Sequence, residues 1–218
     1  MNVELISITK PEIKGIKNAE DLVAYCARVS NPSNQMNVET APKLLKFLIK
    51  HKHWSPFELV DMCVEIKTSR AIAAQILRHR SFSFQEFSQR YSLANEFEDI
   101  ELRLQGDKNR QVGEKLLPMN TDAYDNISHL IAESMSISQH CYDTMIENGV
   151  AKEVARMILP LATQTTMYMK GSLRSWIHYI ELRTEQNTQK EHREIAEKCK
   201  KIFVKEFPVI SEALEWNK

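Results

Sequence analysis

Residues 57–66 read FELVDMCVEI, and in this run Val60, Met62, Val64 and Ile66 alternate with Asp61, Cys63 and Glu65. Period-two alternation puts the four apolar side chains on one face of a strand. Such a face needs cover, and the neighbouring segments have a helical period instead. Residues 18–29 place Leu22, Tyr25, Cys26 and Val29 at helical spacing behind Asn18, a suitable N-cap. Residues 41–52 carry Leu44, Leu45, Leu48 and Ile49 as a stripe, with Pro42 in the first turn, and the HWSP run ends that helix. Residues 69–80 return to helix.

The rest of the chain mixes the same two periods. Residues 2–8, residues 98–104 (Ile100, Leu102, Leu104) and the TQTTMYM run at 163–169 read as strands. Helices are expected over 121–148, closed by Gly149, in a short piece carrying Arg156 before Pro160, from Ser172 onward, and over 188–206. The polar, turn-rich 105–120 segment reads as a loop. No repeat, low-complexity linker or shift in composition divides the chain. The expectation is one α+β domain over residues 1–218, with a mainly antiparallel sheet packed by long helices.

Composition removes several classes of function. Lys plus Arg and Asp plus Glu both total 29, so the chain lacks the basic excess of a nucleic-acid coat. Five glycines occur, and none falls in a G-x-G-x-x-G or G-x-x-x-x-G-K-[ST] pattern, which argues against a Rossmann or P-loop phosphate cradle. The four cysteines are far apart and in no zinc spacing, so reduced core thiols and no metal are expected. The nine methionines read as core filler. The N-terminus lacks a signal-peptide pattern, and no run approaches the ~18 apolar residues of a membrane span. A cytoplasmic protein is expected.

Against that neutral background RHRSFSFQEFSQRYS, residues 78–92, stands out. Arg78, His79, Arg80 and Arg90 share it with one carboxylate, Glu86. Gln75 and Arg78 lie on one helix face, and Phe82 and Phe84 alternate in what reads as a largely extended loop. Guanidinium groups suit phosphates, since they donate paired hydrogen bonds and stay charged. Ser88 adds a neutral donor. A surface ion-pair patch around Glu86 is the simpler alternative, but one carboxylate among three arginines leaves positive charge over. Two further readings are a nucleotide or single-stranded nucleic-acid binding module with a stacking platform, and a helical structural protein stitched together by arginines. Tyr91 either stacks on a ring or packs, and Trp176 belongs to the apolar stripe of its helix with Leu173, Ile177 and Ile180.

Arg78-His79-Arg80, seven residues and then Ser88 resembles the signature of the flavin-dependent thymidylate synthases. HWSPFE (His53 to Glu58), ARMILP (Ala155 to Pro160) and GSLRSWIHYIELR (Gly171 to Arg183) resemble that family's other blocks, in its order. The resemblance implies reductive methylation of dUMP to dTMP, with methylenetetrahydrofolate as carbon donor and NADPH reducing a bound FAD. It also implies a homotetramer with shared active sites, in which neither nucleic acid nor membrane is a partner. By position, Ser55, Arg78, His79, Arg80, Glu86, Ser172, Arg174 and His178 fall on the family's FAD contacts. Gln75, Arg78, Glu86, Phe87, Ser88, Gln89, Arg90, Arg156 and Arg183 fall on its nucleotide contacts. His53 stands near flavin and folate, and Arg183 and His53 are the implied catalytic residues. Ser172, His178 and Gln85 stand where some members have asparagine. On the helix starting at Ser172, Arg183 should point away from Arg174 and His178, toward the uracil ring.

Overall fold

The computed structural model describes residues 1–93, 96–107, 109 and 112–216. One four-stranded sheet organises the chain. Its strands are β1 (Asn2–Ile8), β2 (Asp61–Ser69), β3 (Ser83–Glu86) and β6 (Gln164–Ser172), in the order β1-β2-β6-β3. Every neighbouring pair is antiparallel. A two-stranded hairpin, β4 (Arg103–Gln105) and β5 (Gly113–Leu116), stands apart. The helices are α1 (Ala19–Ala27), α2 (Ala41–Lys50), α3 (Arg70–Ile76), α4 (Asp122–Glu147), α5 (Lys152–Ala155), α6 (Leu173–Arg183), α7 (Lys190–Glu206) and α8 (Pro208–Ala213).

The alternation in β2 does what its period demands. Met62, Val64 and Ile66 are fully buried, and their partners across the ladder are Gly171, Met169 and Met167 on the same face. Helix α6 covers this face with Trp176, whose indole N–H donates to the Met62 carbonyl at 2.9 Å, so its one polar atom is satisfied. Phe82 packs edge-on to Trp176 and lies over Gly171, where a Cβ would come within 2.5 Å of its ring. The opposite face carries Asp61, Cys63, Glu65, Tyr168 and Lys170, with an ion pair between Lys170 and Asp61. Helices on one face of an antiparallel sheet make this an α+β fold, as expected.

Caps explain several boundaries. Asn18 accepts from the Asp21 N–H at the start of α1, and Thr121 accepts from Tyr124 at the start of α4. Helix α2 ends in a paired C-terminal turn, with Lys52 N–H bonded to the Ile49 carbonyl and His53 N–H to Leu48. Lys52 takes the left-handed conformation there, with φ 55°.

Elsewhere the sequence reading needs correction. Residues 55–59 form a 3-10 turn, because Pro56 sits in its first turn and offers no N–H to a ladder, so β2 starts at Asp61 and runs to Ser69. Helix α3 stops at Ile76, where its buried stripe ends; Leu77 and Arg78 are exposed. Within the expected loop, Ser83–Glu86 is a paired strand, β3. The 98–104 strand shrinks to Arg103–Gln105, and the expected 105–120 loop holds the second hairpin strand; residues 108, 110 and 111 of that expectation lie outside the described residues. Helix α8 was not foreseen. Met62, Met167 and Met169 fill the core, but Met36, Met119 and Met157 are exposed. Of the cysteines only Cys199 is a buried core thiol; Cys26 and Cys63 are half-buried and Cys141 is exposed, and all four are free. No helix among the described residues is long and apolar enough to cross a membrane, and they contain no cluster of metal-ligating side chains.

Candidate functional site

Two strands run directly into helices. β2 ends at Ser69 and α3 begins at Arg70; β6 ends at Ser172 and α6 begins at Leu173. Both serines are N-caps, Ser69 accepting from Ile72 and Ser172 from Ser175. The ladder pairs Asp61 with Ser172 and Ser69 with Gln164, so the two helices leave opposite ends of one strand pair. Each end gathers a carboxylate, an arginine and a hydroxyl.

At the α6 end the carboxylate is Glu58. It accepts from Ser172 Oγ at 2.5 Å and from an Arg174 guanidinium nitrogen at 2.7 Å. The Ser172 hydroxyl, with Arg174 behind it, holds this carboxyl below the usual carboxylate range despite partial burial. Around it lies a cleft of about 560 Å³ whose walls include Trp54, Ser81, Ile177 and His178. Arg174 and His178, four apart on α6, both face this cleft, as their spacing predicts. Ser55 and His53 are exposed nearby in sequence, and the His53 ring stands edge-on to Phe47 at 6.0 Å.

At the α3 end the carboxylate is Glu86. It accepts from Arg70 at 2.8 Å and from Thr165 Oγ1 at 3.0 Å. Of the signature's own arginines none pairs with Glu86: its partner is Arg70, which β3 reaches because Glu86 points inward in the strand's alternation. Arg78, Arg80 and Arg90 are exposed, and among the described residues none of their side chains forms an ion pair. A smaller cleft of about 280 Å³ opens here, lined by Arg70, Gln89, Arg156 and Thr163. Gln89 is buried and its side-chain nitrogen has no partner among the described residues, which leaves a donor aimed inward. Phe87 and Ser88 are exposed beside it, and Tyr91 is 83% exposed, so Tyr91 does not pack in the core.

Between these ends lies a third group. α6 continues to Arg183, whose Nε donates to His79 Nε2 at 2.9 Å. Burial, and then the Arg183 charge, pushes the His79 imidazole down to about 4, so it is neutral across the physiological range. Arg183 thus has a partner within its own chain, and its guanidinium keeps further donors free. Gln75 donates to Gln189 at 2.7 Å and faces His192 Nδ1 at 3.2 Å.

The sequence-derived residues therefore fall into three groups in one chain. Ser172, Arg174 and His178 gather at one end; Glu86, Gln89 and Arg156 gather at the other; Gln75, His79 and Arg183 lie between. Sequence reasoning missed Glu58, Trp54, Arg70, Gln189 and His192. Glu58 and Trp54 lie inside the HWSPFE block and were within reach. Arg70, Gln189 and His192 carry no local pattern that marks them.

The first cleft sets Lys52 and Arg174 against Glu58 and Glu181 beside a helix N-terminus and the Trp54 ring, which suits a polar ring-bearing ligand, and the second cleft's arginines and orphaned amide suit a smaller anion. Comparisons with known proteins agree on one family. The profile of the family described as thymidylate synthase complementing protein matches residues 12–209. A probable flavin-dependent thymidylate synthase of Paramecium bursaria Chlorella virus 1 is 53% identical over 99% of this chain and all of its own length. The flavin-dependent thymidylate synthase of Synechocystis sp. is 54% identical with the same coverage. Among solved structures, the UMP/dUMP methylase PolB from Streptomyces cacaoi, bound with 5-Br dUMP, shares the fold with a TM-score of 0.82 at 24% identity, covering 98% of this chain and 94% of its own. Profile and relatives span nearly the whole chain, including all three groups of polar residues, and the chain belongs to the flavin-dependent thymidylate synthase family.

Proposed function

We propose that this protein converts dUMP to dTMP, taking the carbon from methylenetetrahydrofolate and its reducing equivalents from NADPH through a bound FAD. The observation that carries this reading is full-length identity above 50% to two relatives named for flavin-dependent thymidylate synthesis, the Synechocystis enzyme and the probable viral one. The polar groups fit it. Arg174 and the α6 N-terminus offer donors for the cofactor's phosphates, with Trp54 and His178 as ring neighbours and Ser172, whose hydroxyl proton goes to Glu58, beside them. Ser55, Arg78, His79, Arg80 and Glu86 complete that set. Bound reduced flavin would supply the hydride.

Gln75, Arg78, Glu86, Phe87, Ser88, Gln89, Arg90, Arg156 and Arg183 hold the nucleotide. Arg156 and the unpaired Gln89 donor suit its phosphate end. Arg183 acts at the pyrimidine: a guanidinium beside O2 and N3 stabilises the ring's electron-rich form and raises nucleophilicity at C5. Neutral His79 accepts from Arg183 without competing for its charge, and so aims the guanidinium. His53 stands at the folate side.

The assembly is a homotetramer. Helix α4 is 26 residues long, about 39 Å, yet Tyr142 is its one buried residue. Ile127, Leu130 and Ile137 form an exposed stripe along it, which supports cover by other copies. Ser172, Arg174 and His178 sit at one end of a strand pair and Gln89 and Arg156 at the other, an arrangement that favours sites completed by a second chain.

Incubating the protein with dUMP, methylenetetrahydrofolate, FAD and NADPH should yield dTMP, and FAD should turn the protein yellow. Arg183→Ala should still bind FAD and stay tetrameric while losing turnover by several decades, because its contribution comes at the transition state. Near-normal turnover of that variant would remove Arg183 from the mechanism, and a colourless, inactive, folded protein in excess FAD would remove the reading itself.

A further inference from the structure

We infer that Glu191 and Gln189 are positioning residues that fix which way the Gln75 amide faces the nucleotide, through a one-directional chain of hydrogen bonds. The inference rests on the proposed role of Gln75 as a nucleotide contact. Direction in this chain is set by chemistry rather than by atom assignment. Glu191 is a carboxylate and can only accept. Arg103 of β4 donates to one of its oxygens at 2.5 Å, and Gln189 Nε2 donates to the other at 2.9 Å. Gln189 must therefore turn its NH2 toward Glu191 and its oxygen toward Gln75. Gln75 Nε2 donates to that oxygen at 2.7 Å. Gln75 Oε1 is then left to face His192 Nδ1 at 3.2 Å, so His192 carries its proton on Nδ1. The His192 ring is fully buried and neutral, since burial pushes it down to about 3.

Each end of the Gln75 amide keeps one valence free: a second N–H on Nε2 and a second lone pair on Oε1. Turning the amide over exchanges a donor for an acceptor at each of these free positions, so a nucleotide group held there by its other contacts is matched in one orientation and opposed in its reverse. A turned Gln75 would pair a donor with a donor. The expected cost is about ten- to a hundredfold in nucleotide affinity. Without Glu191, no other hydrogen bond among the described residues chooses the orientation of Gln189 and Gln75, because a glutamine and a neutral imidazole can each pair either way round; only the buried His192 Nε2, which has no partner among them, leans against carrying the proton there.

Glu191→Gln tests this without a change in shape. Arg103 can only donate, so the introduced amide turns its oxygen to Arg103 and its NH2 to Gln189. Gln189 and Gln75 both turn over, and His192 must accept at Nδ1 and move its proton to Nε2. Arg103 retains its second carboxylate, Glu101, at 2.7 Å, which limits the loss of stability. The readout is the ¹⁵N spectrum of histidine-labelled FAD-bound protein, with the His192 signal assigned by its loss in His192→Phe, together with dUMP and FAD affinities. The chain predicts a Nδ1-to-Nε2 shift of the His192 proton, a ten- to hundredfold loss of dUMP affinity, and unchanged FAD affinity. A simple packing role would leave the tautomer where it is. An unmoved His192 tautomer overturns the inference. A moved tautomer with full dUMP affinity overturns it too, and Gln75→Met then locates the error: intact dUMP binding in that variant means Gln75 is no nucleotide contact, whereas lost binding means its orientation does not matter. If Glu191→Gln fails to fold, Gln189→Met cuts the same chain; weakened dUMP binding with unchanged FAD affinity supports the inference, and full dUMP affinity overturns it.

Discussion

Glu20 on α1 is 6% exposed, and no cation among the described residues pairs with it. Its carboxyl accepts from the Ile210 N–H at 2.7 Å, at the start of α8. Burial raises its pKa from 4.5 to about 7, against the Ile210 and Val209 N–H groups, which pull it down. In the unfolded chain the group ionises near the ordinary value, so between these two values the folded state binds more protons. Stability from this group is thus present at low pH and is lost as pH rises toward and through about 7. A full shift from 4.5 to about 7 corresponds to about 3 kcal/mol, of which about 2.5 kcal/mol develops between pH 5 and pH 8. Glu20→Gln keeps the acceptor for Ile210 but cannot ionise. Relative to the parent, the variant should gain about 2.5 kcal/mol on going from pH 5 to pH 8, whatever the fixed cost of burying its NH2. In urea, with a slope of about 2–3 kcal/mol per molar, the gap between the two midpoints should change by about 1 M. Protein concentration must be held constant, because assembly contributes to stability. The same gap at both pH values would mean that Glu20 is not held protonated by its surroundings.

Gly171→Ala should destabilise the fold by about 1–3 kcal/mol, since the new methyl meets the Phe82 ring at 2.5 Å; unchanged thermal unfolding would show that Phe82 moves aside freely. Replacing Cys26, Cys63, Cys141 and Cys199 with Ala should leave turnover within several-fold, because burial pushes the Cys199 thiol up to about 12 and also raises Cys26 and Cys63, away from a nucleophilic thiolate. Loss of turnover with dUMP and FAD still bound would restore a cysteine to the mechanism. Arg78→Lys keeps charge but loses the forked donor, so titration should find nucleotide or FAD affinity weaker by about one to two decades; equal affinity for both would make Arg78 a surface residue.

What was legible in the sequence was what repeats or caps. The β2 alternation, the stripe of α2 and the Asn18 and Ser172 caps each act within a few residues, and each element formed close to where its pattern lies. β3 reads as extended but not as paired, because its ladder partner lies more than eighty residues away. α3 reads too long because Leu77 and Arg78 continue a good helix former's composition, while the packing that sustains a helix stops at Ile76. The site was legible as residue types but not as geometry. That Glu86 belongs to Arg70, and Arg183 to His79, follows only once β3 and α6 are docked. Long-range pairings of this kind, Gln75 with Gln189 among them, leave no periodic trace.

The two strand-to-helix junctions contain no loop residues, and this makes chain length there a structural variable. At Ser172 to Leu173 the last ladder pair and the first helical residue are consecutive. Deleting or inserting one residue in β6 would shift its register against β2 and rotate all of α6 by about 100°. Arg174, His178 and Arg183 would leave their partners together. The segments 29–36 and 184–187 hold little regular structure and lie outside these pairings, so they can change length without such coupling. Viable insertions and deletions should therefore gather in those segments and spare residues 61–76 and 164–183, a distribution that random length mutagenesis under selection for thymidine independence would reveal.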